Sequence, residues 1–295
     1  MSRSTYDYLV LDVFTERPFA GNPLAVFPDA GGLTDAQMQT LARELNLSET
    51  AFVFAPELAG TLARLRIFTP GMEVPFAGHP TVGTALALCR LGRVPARAEA
   101  FALQEQVGRV DVRVEWPGPS VAWLRTPPIA FGETYDPDAC SAALGLTRDD
   151  VLSGAPVQML SAGNPFLYVP LRTPEAVDRA ALDARSLEAV APGFAASGVF
   201  VFAPRPEGAY SRMFAPLAGI LEDPATGSAT GPLAAYLVRY GLCERRQGLR
   251  LLNEQGVKMR RPSQIYALLH FSGATLDCVE IGGSAVNVIQ GSVTL

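Results

Sequence analysis

Short apolar runs separated by polar turns fill the beginning of the chain and predict strands. Apolar, β-branched and aromatic residues dominate Tyr8–Phe14, Asn22–Phe27, Phe52–Phe54 and Arg64–Phe68. Runs of this length and composition, bounded by Gly, Pro and Asn, are typical of β-strands. The first part of the chain is therefore expected to form a sheet.

One amphipathic helix interrupts these strands. The segment Thr34-Asp-Ala-Gln37 fits a capping box, in which the Thr and Gln side chains bind each other's backbone N–H groups. Apolar residues then follow at helical spacing from Met38 to Leu45. We predict a helix that begins after Thr34 and packs one face on the sheet.

Two further helices have almost no polar side. The sequence predicts them at Pro80–Leu91, closed by Gly92, and at Ala229–Tyr240, closed by Gly241. A helix that is apolar all round must be buried on all sides. The simplest arrangement is a sheet curled around one central helix, formed twice.

The chain also contains an internal repeat of short sequence motifs. Four segments recur in the same order about half a chain length later, which indicates two similar domains with a small-molecule cleft between them. The pairs are Gly21–Leu24 with Gly163–Phe166, Phe52–Pro56 with Phe200–Pro204, Arg66–Pro70 with Arg212–Pro216, and Gly78–Gly92 with Gly227–Gly241.

The predicted fold class is α+β, with two pseudo-symmetric domains, each a curled, mostly antiparallel sheet or barrel around a central α-helix. Proline-rich stretches at Trp116–Pro119 and Thr126–Pro128 suggest a boundary, so we assign residues 1–127 to the N-terminal domain and residues 128–283 to the C-terminal domain. Residues 284–295 have no counterpart in the repeat and are expected to pack back on the first domain.

Two elements of the second half are predicted from composition alone. A helix is expected over residues 175–190. The tail Val286–Leu295 reads as two short strands around a glycine turn.

Composition excludes several classes of protein. A net charge of −5, a pI near 5.2 and the lack of a Lys/Arg cluster argue against a nucleic-acid surface. There is no apolar stretch long enough for a membrane span and no signal-peptide pattern at the N-terminus. The 4 cysteines are widely separated and there are only 2 histidines, so neither a disulfide framework nor a metal site is indicated. We expect a cytoplasmic protein without a metal.

Four polar residues break the symmetry of the repeat, each beside a shared motif. They are Glu49, His79, Asp223 and Ser228, with His79 and Ser228 at the same place in the two copies. Such differences between otherwise similar halves are candidates for function, because the shared scaffold says nothing about chemistry.

His79 and Ser228 each follow a glycine at the start of a predicted buried helix, after Gly78 and Gly227. Backbone N–H groups and the positive end of the helix dipole suit an anion such as a carboxylate there. Other interpretations remain open: Ser228 and Asp223 could cap the helix, Gly-His-Pro could be a turn with a structural histidine, and Glu49 could face solvent.

At these residues the chain resembles the phenazine-biosynthesis PhzF family, which has the diaminopimelate epimerase-like fold. The resemblance spans nearly the whole chain. The motifs that carry it are Ala20–Pro23, Asn46–Glu49, Arg66–Pro70, Pro75–Pro80, Glu222–Ala229 and Arg261–Ser263.

The resemblance implies two pseudo-symmetric halves with the active site between them. In the racemase and epimerase branches of this fold, two cysteines form the acid/base pair, one ahead of each central helix. The matching positions here are Ala77 and Thr226. Neither can carry a proton at neutral pH, so two-thiol racemization is disfavoured.

What the resemblance implies instead is proton transfer by one carboxyl group. Glu49 would move a proton on a cyclic, amino-acid-like substrate, and His79 and Asp223 would hold that substrate and tune the site. Ser228, together with the helix starts at Gly78 and Gly227, would bind its carboxylate.

The family's namesake reaction is the isomerization of trans-2,3-dihydro-3-hydroxyanthranilate, which needs no cofactor. We expect a homodimer that binds a small-molecule carboxylate, and neither nucleic acid nor a membrane. Two alternatives are a racemase or epimerase of a small amino or hydroxy acid, and a non-catalytic small-molecule-binding protein.

Overall fold

The computed structural model describes residues 4–116 and 120–295. The chain forms two compact units. One comprises the chain up to Leu124 together with Gly282–Leu295, and the other comprises Arg125–Ile281. Pro117–Pro119, part of the proline-rich stretch that suggested a boundary, lies outside the described residues.

In chain order the strands and helices are β1 (Thr5–Val13), β2 (Asn22–Phe27), α1 (Asp35–Leu45), β3 (Glu49–Phe54), β4 (Ala63–Phe68), β5 (Glu73–Val74), α2 (Gly78–Arg90), β6 (Ala100–Glu105), β7 (Gly108–Glu115), β8 (Val121–Arg125), β9 (Ala130–Tyr135), α3 (Pro137–Ala143), β10 (Val157–Ser161), β11 (Pro165–Pro170), α4 (Pro174–Arg179), α5 (Ala184–Val190), α6 (Phe194–Ser197), β12 (Val199–Arg205), β13 (Gly208–Ala215), β14 (Ile220–Asp223), α7 (Gly227–Arg239), β15 (Arg250–Gln255), β16 (Ser263–Ser272), β17 (Thr275–Gly283) and β18 (Ala285–Thr294).

The sheet of the first unit runs in the order β18-β1-β2-β3-β4-β6-β7-β8. Two of its pairings are parallel, β2 with β3 and β4 with β6, and the others are antiparallel. The last strand of the chain, β18, pairs with the first, β1. The short β5 adds to β4 just before α2 begins.

In the second unit the sheet runs in the order β9-β10-β11-β12-β13-β15-β16. Its two parallel pairings are β11 with β12 and β13 with β15. From β1 to β7 and from β10 to β16 the succession of antiparallel and parallel pairings is therefore the same. The mostly antiparallel arrangement agrees with the predicted fold class.

Each unit buries one of the two apolar helices. In α2 every residue from Gly78 to Leu88 is buried, and in α7 so are Gly227 and Ala229–Val238. Gly83 lets α2 approach the sheet, because a Cβ atom at this position would lie 2.6 Å from Leu24 and 2.7 Å from Val13. The prediction of two buried helices is confirmed; each begins two residues earlier than expected.

Outer helices cover the other face of each sheet. Helix α1 has the predicted capping box between Thr34 and Gln37, and its buried residues Met38, Leu41 and Ala42 pack with aromatic residues of the sheet. Helices α3 to α6 contribute to a second apolar cluster on β11 and β12 of the second unit.

The helix predicted over residues 175–190 is wrong in one respect, because two short helices occupy this segment. Helix α4 ends at Arg179, where the N–H of Ala180 still reaches Ala176 O. Asp183 then caps α5, and its carboxylate accepts a hydrogen bond of 3.1 Å from Arg185 N. An aspartate N-cap starts a new helix more favourably than it continues an old one.

The prediction of two short strands around a glycine turn in the tail is also wrong. Residues Ala285–Thr294 form one strand along β1, with a bulge where Val10 pairs with Ile289 and Leu11 with Asn287. Gly291 does not form a turn. It lies opposite Tyr8, and a Cβ atom there would be 3.1 Å from the tyrosine ring. The glycine therefore accommodates a ring rather than a reversal of the chain.

Among residues 4–116 and 120–295, no helix is both long enough and apolar enough to cross a membrane.

Candidate active site

In the first unit, Glu49 and His79 are brought together by the sheet and the buried helix. Glu49 is the first residue of β3 and pairs with Leu24 of the parallel strand β2. His79 is the second residue of α2. Their side chains are 19% and 6% exposed, and His79 Nε2 lies 3.4 Å from Glu49 Oε2. Glu49 therefore does not face open solvent, as one interpretation of the sequence allowed.

The tautomer of His79 follows from its second contact. The ring also bonds the backbone of Pro23, which has no N–H and can only accept through its carbonyl. Within the described residues Nε2 makes no hydrogen bond, so Nδ1 is the nitrogen that donates to Pro23. Burial lowers the pKa of His79 to about 3, against the opposing effect of the Pro23 bond. The imidazole is therefore neutral, and its unprotonated Nε2 lies 3.4 Å from Glu49 Oε2.

Pro23 is held in place by the turn that precedes it. Gly21 has φ +65°, and a Cβ atom there would lie 2.2 Å from Val13 O. No L-residue with a side chain fits this position without moving the backbone. The Gly-Asn-Pro motif thus fixes the carbonyl that orients His79.

The start of α2 presents backbone donors next to His79. Its N-cap residue is Ala77, which has extended backbone angles and no side chain able to cap the helix. The first N–H groups of a helix have no partner within the helix, and they carry the positive end of its dipole. Gly78 and His79 therefore lie at a place suited to an anion.

In the second unit Asp223 is the last residue of β14, directly before the segment that leads into α7. Its Oδ2 accepts a hydrogen bond of 2.6 Å from the hydroxyl of Thr226. Gln255 supports both residues, because its Nε2 donates to Asp223 O at 2.8 Å and to Thr226 Oγ1 at 2.9 Å. The position of the Asp223 carboxylate is thus set by a chain of hydrogen bonds.

An ion pair fixes the residue beside Asp223. Arg212, which is 9% exposed, binds Glu222 through two parallel hydrogen bonds of 2.9 and 2.8 Å. A third guanidinium N–H group reaches Ala180 O at 2.8 Å. A bidentate arginine–carboxylate pair restricts the rotation of both side chains, so it fixes the position of the end of β14.

Gly227 and Ser228 are the first two residues of α7, and Thr226 is the N-cap. Neither Ser228 nor Asp223 is therefore the capping residue, and Thr226 makes no side-chain capping bond either. Ser228 is partly exposed, whereas the residues on both sides of it are buried. Its hydroxyl is available for a ligand at the start of this helix.

The structure thus groups the predicted residues by unit: Glu49, Gly78 and His79 in the first, and Asp223, Gly227 and Ser228 in the second. Sequence reasoning missed the supporting groups, which are the backbone carbonyl of Pro23 and the side chain of Gln255. Gln255 could have been noticed as a polar residue at a buried position of an otherwise alternating strand.

Residues 11–291 match the family described as phenazine biosynthesis-like protein, PhzC-PhzF. The trans-2,3-dihydro-3-hydroxyanthranilate isomerase of Pseudomonas aeruginosa is 38% identical, over 98% of this chain and 99% of the relative. A crystal structure of a PhzF-family protein from Bacillus anthracis superposes with a TM-score of 0.89 at 26% identity, covering 99% of this chain and 100% of the other.

A hydroxyproline epimerase from Agrobacterium vitis shares the fold alone, with a TM-score of 0.63 at 14% identity over 99% of this chain and 93% of that one. The epimerase-like fold expected from the resemblance is therefore confirmed, and so is the prediction that the protein is an isomerase. The chain belongs to the phenazine biosynthesis-like family, PhzC-PhzF.

Proposed function

We propose that this isomerase moves a proton from one ring carbon to another on a small cyclic substrate that bears a carboxylate, with Glu49 as the acid/base. The observation that carries the proposal is the contact of 3.4 Å between Glu49 Oε2 and His79 Nε2. It places a partly buried carboxyl group beside the unprotonated nitrogen of a neutral imidazole.

Two acceptor atoms so placed repel each other unless a proton lies between them. The pair is thus suited to hold one proton for part of the reaction. When Glu49 takes a proton from a substrate carbon, its new O–H group can donate a hydrogen bond to His79 Nε2. When the double bond has shifted, Glu49, whose O–H hydrogen can exchange with solvent because the side chain is 19% exposed, protonates a different carbon and the carboxylate is regenerated.

His79 supports this transfer without carrying the proton. Because burial lowers its pKa to about 3, an imidazolium is disfavoured at neutral pH. The proton therefore stays with Glu49, which can deliver it back to the substrate. The reaction leaves the oxidation state of the substrate unchanged, so its chemistry balances with no redox partner.

Substrate binding is assigned to the starts of the two buried helices. Gly78 and Gly227 offer backbone N–H groups, and Ser228 adds a hydroxyl for the carboxylate. Asp223, held by Thr226, would accept hydrogen bonds from polar substituents on the ring. We propose that both groups of residues bind the same substrate molecule, as the asymmetry of the sequence repeat suggested.

The substrate to test first is trans-2,3-dihydro-3-hydroxyanthranilate, because a relative 38% identical over nearly the full length is named for its isomerization. The compound is a cyclic amino acid. Its carboxylate would bind at the helix starts and Ser228, and its polar ring substituents would bind the carboxylate of Asp223. We also take the enzyme to be a cytoplasmic homodimer. Light scattering of the purified protein would measure its mass against the 31.4 kDa of one chain.

The test replaces Glu49 by Gln, which keeps size and hydrogen bonding but cannot exchange a proton with carbon. General acid/base catalysis is worth roughly 10²–10⁴ in rate, and a sole proton carrier should lie at the upper end of that range. Turnover is followed by NMR in heavy water, where deuterium marks the carbon that receives the proton. Glu44→Gln, on the exposed side of α1, is the matched control and should behave as wild type.

Near-normal turnover by Glu49→Gln would show that another group carries the proton. Deuterium entering a stereocentre with loss of optical activity, and no shift of the double bond, would make the enzyme a racemase or epimerase. That outcome would need a second base, since Ala77 and Thr226 occupy the positions directly before the two helices.

A further inference from the structure

The carboxyl group of Glu105, which is buried, contacts the helix that carries His79. Glu105 is the last residue of β6 and is 4% exposed. Its Oε1 lies 2.6 Å from the hydroxyl of Thr81 on the first turn of α2. Its Oε2 is buried and makes no hydrogen bond within the described part of the chain.

The hydrogen count of this cluster shows where a proton must lie. Thr81 Oγ1 is 2.7 Å from Ala77 O as well as 2.6 Å from Glu105 Oε1, yet a hydroxyl has only one hydrogen to donate. If Glu105 were ionised, one of these two oxygen pairs would have no proton between them. If Glu105 is protonated, it donates to Thr81, Thr81 donates to Ala77, and both short contacts are hydrogen bonds.

The second unit makes the same type of contact with neutral amides. Gln255 ends β15 as Glu105 ends β6, and its Oε1 accepts from Thr226 N, the N-cap of α7, at 3.1 Å. Asn253 Nδ2 donates to Thr230 Oγ1 at 3.0 Å, while Thr230 donates to Thr226 O at 3.0 Å. The threonine on the first turn of α7 thus receives a hydrogen from a neutral side chain. By analogy, Thr81 should receive one from Glu105.

We propose that Glu105 is a positioning residue that works as a neutral carboxylic acid: through Thr81 it fixes the first turn of α2 and so the placement of Gly78 and His79 toward the substrate. This role rests on the proposed function of the α2 start. Glu105 itself touches neither Glu49 nor the substrate in this scheme.

Within residues 4–116 and 120–295, no cationic side chain pairs with Glu105 to stabilise an ionised form. Arg64 of β4 and Arg109 of β7 pair with the neighbouring residue Gln104, whose side chain points to the opposite face of the sheet. From α2, Glu105 faces the uncharged Thr81, and the nearest titratable group on that helix, His79, is neutral. Burial raises the pKa of Glu105 to about 8.

Thr81→Val tests the positioning role, with Thr84→Val as its control on the same helix. Thr84 is equally buried, and its hydroxyl makes no hydrogen bond among the described residues. The probe is 3-hydroxyanthranilate, the aromatic analogue of the proposed substrate. Thr81→Val should raise the Kd of the probe and the KM about five- to tenfold, with kcat within about threefold of wild type. Thr84→Val and the conservative Thr81→Ser should bind as wild type does.

Glu105→Gln tests the proton, because an amide N–H can replace the acid O–H. This variant should bind the probe as wild type does at pH 7 and keep that affinity at pH 9. Wild type should lose affinity as the pH rises through about 8. A Glu105→Gln variant as weak as Thr81→Val at pH 7 would overturn the neutral-acid assignment, and equal Kd values for Thr81→Val and Thr84→Val would overturn the positioning role.

Amide hydrogen exchange separates failure of this inference from failure of the proposed function. The peptide spanning residues 76–84 should exchange faster in Thr81→Val than in Thr84→Val, whether or not the probe binds. If wild type does not bind the probe but this difference is seen, only the proposed ligand is wrong. If exchange is the same in the two variants, Thr81 does not fix the helix start and the inference fails.

Discussion

Protonation of Glu105 should make the stability of the first unit depend on pH in a defined direction. Its pKa is 4.5 in an unstructured chain and about 8 in the fold. Because the folded state binds the proton more tightly, the stabilisation is fully present below about pH 4.5 and is lost as the pH rises through about 8. Above that pH the effect is constant.

The size of the effect follows from the same two values. Each pKa unit corresponds to about 1.4 kcal/mol, so the free energy of unfolding of wild type should fall by up to about 5 kcal/mol between these limits. Glu105 is 4% exposed, so solvent screening reduces this figure little. Glu105→Gln does not titrate. The difference between wild type and this variant should therefore isolate the contribution of Glu105 from that of other carboxyl groups.

The assay is urea unfolding of both proteins from pH 5 to pH 9. The chain has 2 tryptophans, Trp116 and Trp123, and both belong to the first unit. Their fluorescence therefore reports the unit that contains Glu105. Glu44→Gln, on the exposed side of α1, serves as the control and should follow wild type at every pH.

If the difference in free energy of unfolding between wild type and Glu105→Gln is the same from pH 5 to pH 9, the reasoning is refuted. Such a result would mean that folding leaves the proton affinity of Glu105 unchanged. A difference that grows in favour of wild type as the pH rises would refute it more strongly. It would show that the ionised carboxylate is the form that the fold prefers.

Two further outcomes are expected at the proposed active site. Ser228→Ala should weaken binding of 3-hydroxyanthranilate by about 1–3 kcal/mol, the cost of leaving a charged partner unpaired, while kcat changes little. Isothermal titration would measure the binding, and a loss found in kcat by steady-state kinetics would contradict this role. In a crystal structure with that ligand bound, the Glu49 carboxyl should lie within hydrogen-bond reach of the ligand, because a general base must reach the proton that it removes. A Glu49 carboxyl beyond that reach would exclude it as the acid/base.

Local chemistry was sufficient to predict several elements from the sequence. The capping box at Thr34 and Gln37 forms as expected, since it needs only residues that are neighbours in the chain. Gly92 and Gly241 follow the two buried helices with φ of +68° and +66°. The apolar surface of these helices required burial on all sides, whatever surrounds them.

Two predictions failed, one because of a neighbour from another part of the fold and one because of a local helix cap. Gly291 looked like a turn residue, but it lies within a strand opposite Tyr8, where a Cβ atom would come within 3.1 Å of the tyrosine ring. Asp183 begins a new helix within a segment whose composition favours one continuous helix. In both segments the local structure depends on one interaction, the Tyr8 contact or the Asp183 cap, that the spacing of apolar and polar residues does not specify.

At the candidate site, the sequence identified the residues and the tertiary structure decided their geometry. The sequence identified Glu49 and His79 as polar departures from a repeat, and the resemblance to a family gave them expected roles. Only the tertiary structure brings them to 3.4 Å, because a parallel pairing of β2 with β3 and the start of α2 must meet at one place.

Protonation was decided by the tertiary structure alone. A histidine and a glutamate have ordinary proton affinities in an extended chain, and nothing in the residue order around His79 or Glu105 suggests otherwise. Burial removes water from both groups and so favours the uncharged form of each, which lowers the pKa of His79 and raises that of Glu105. The sequence by itself determined which groups could exchange protons, and the packing of helix on sheet determined which of them are charged.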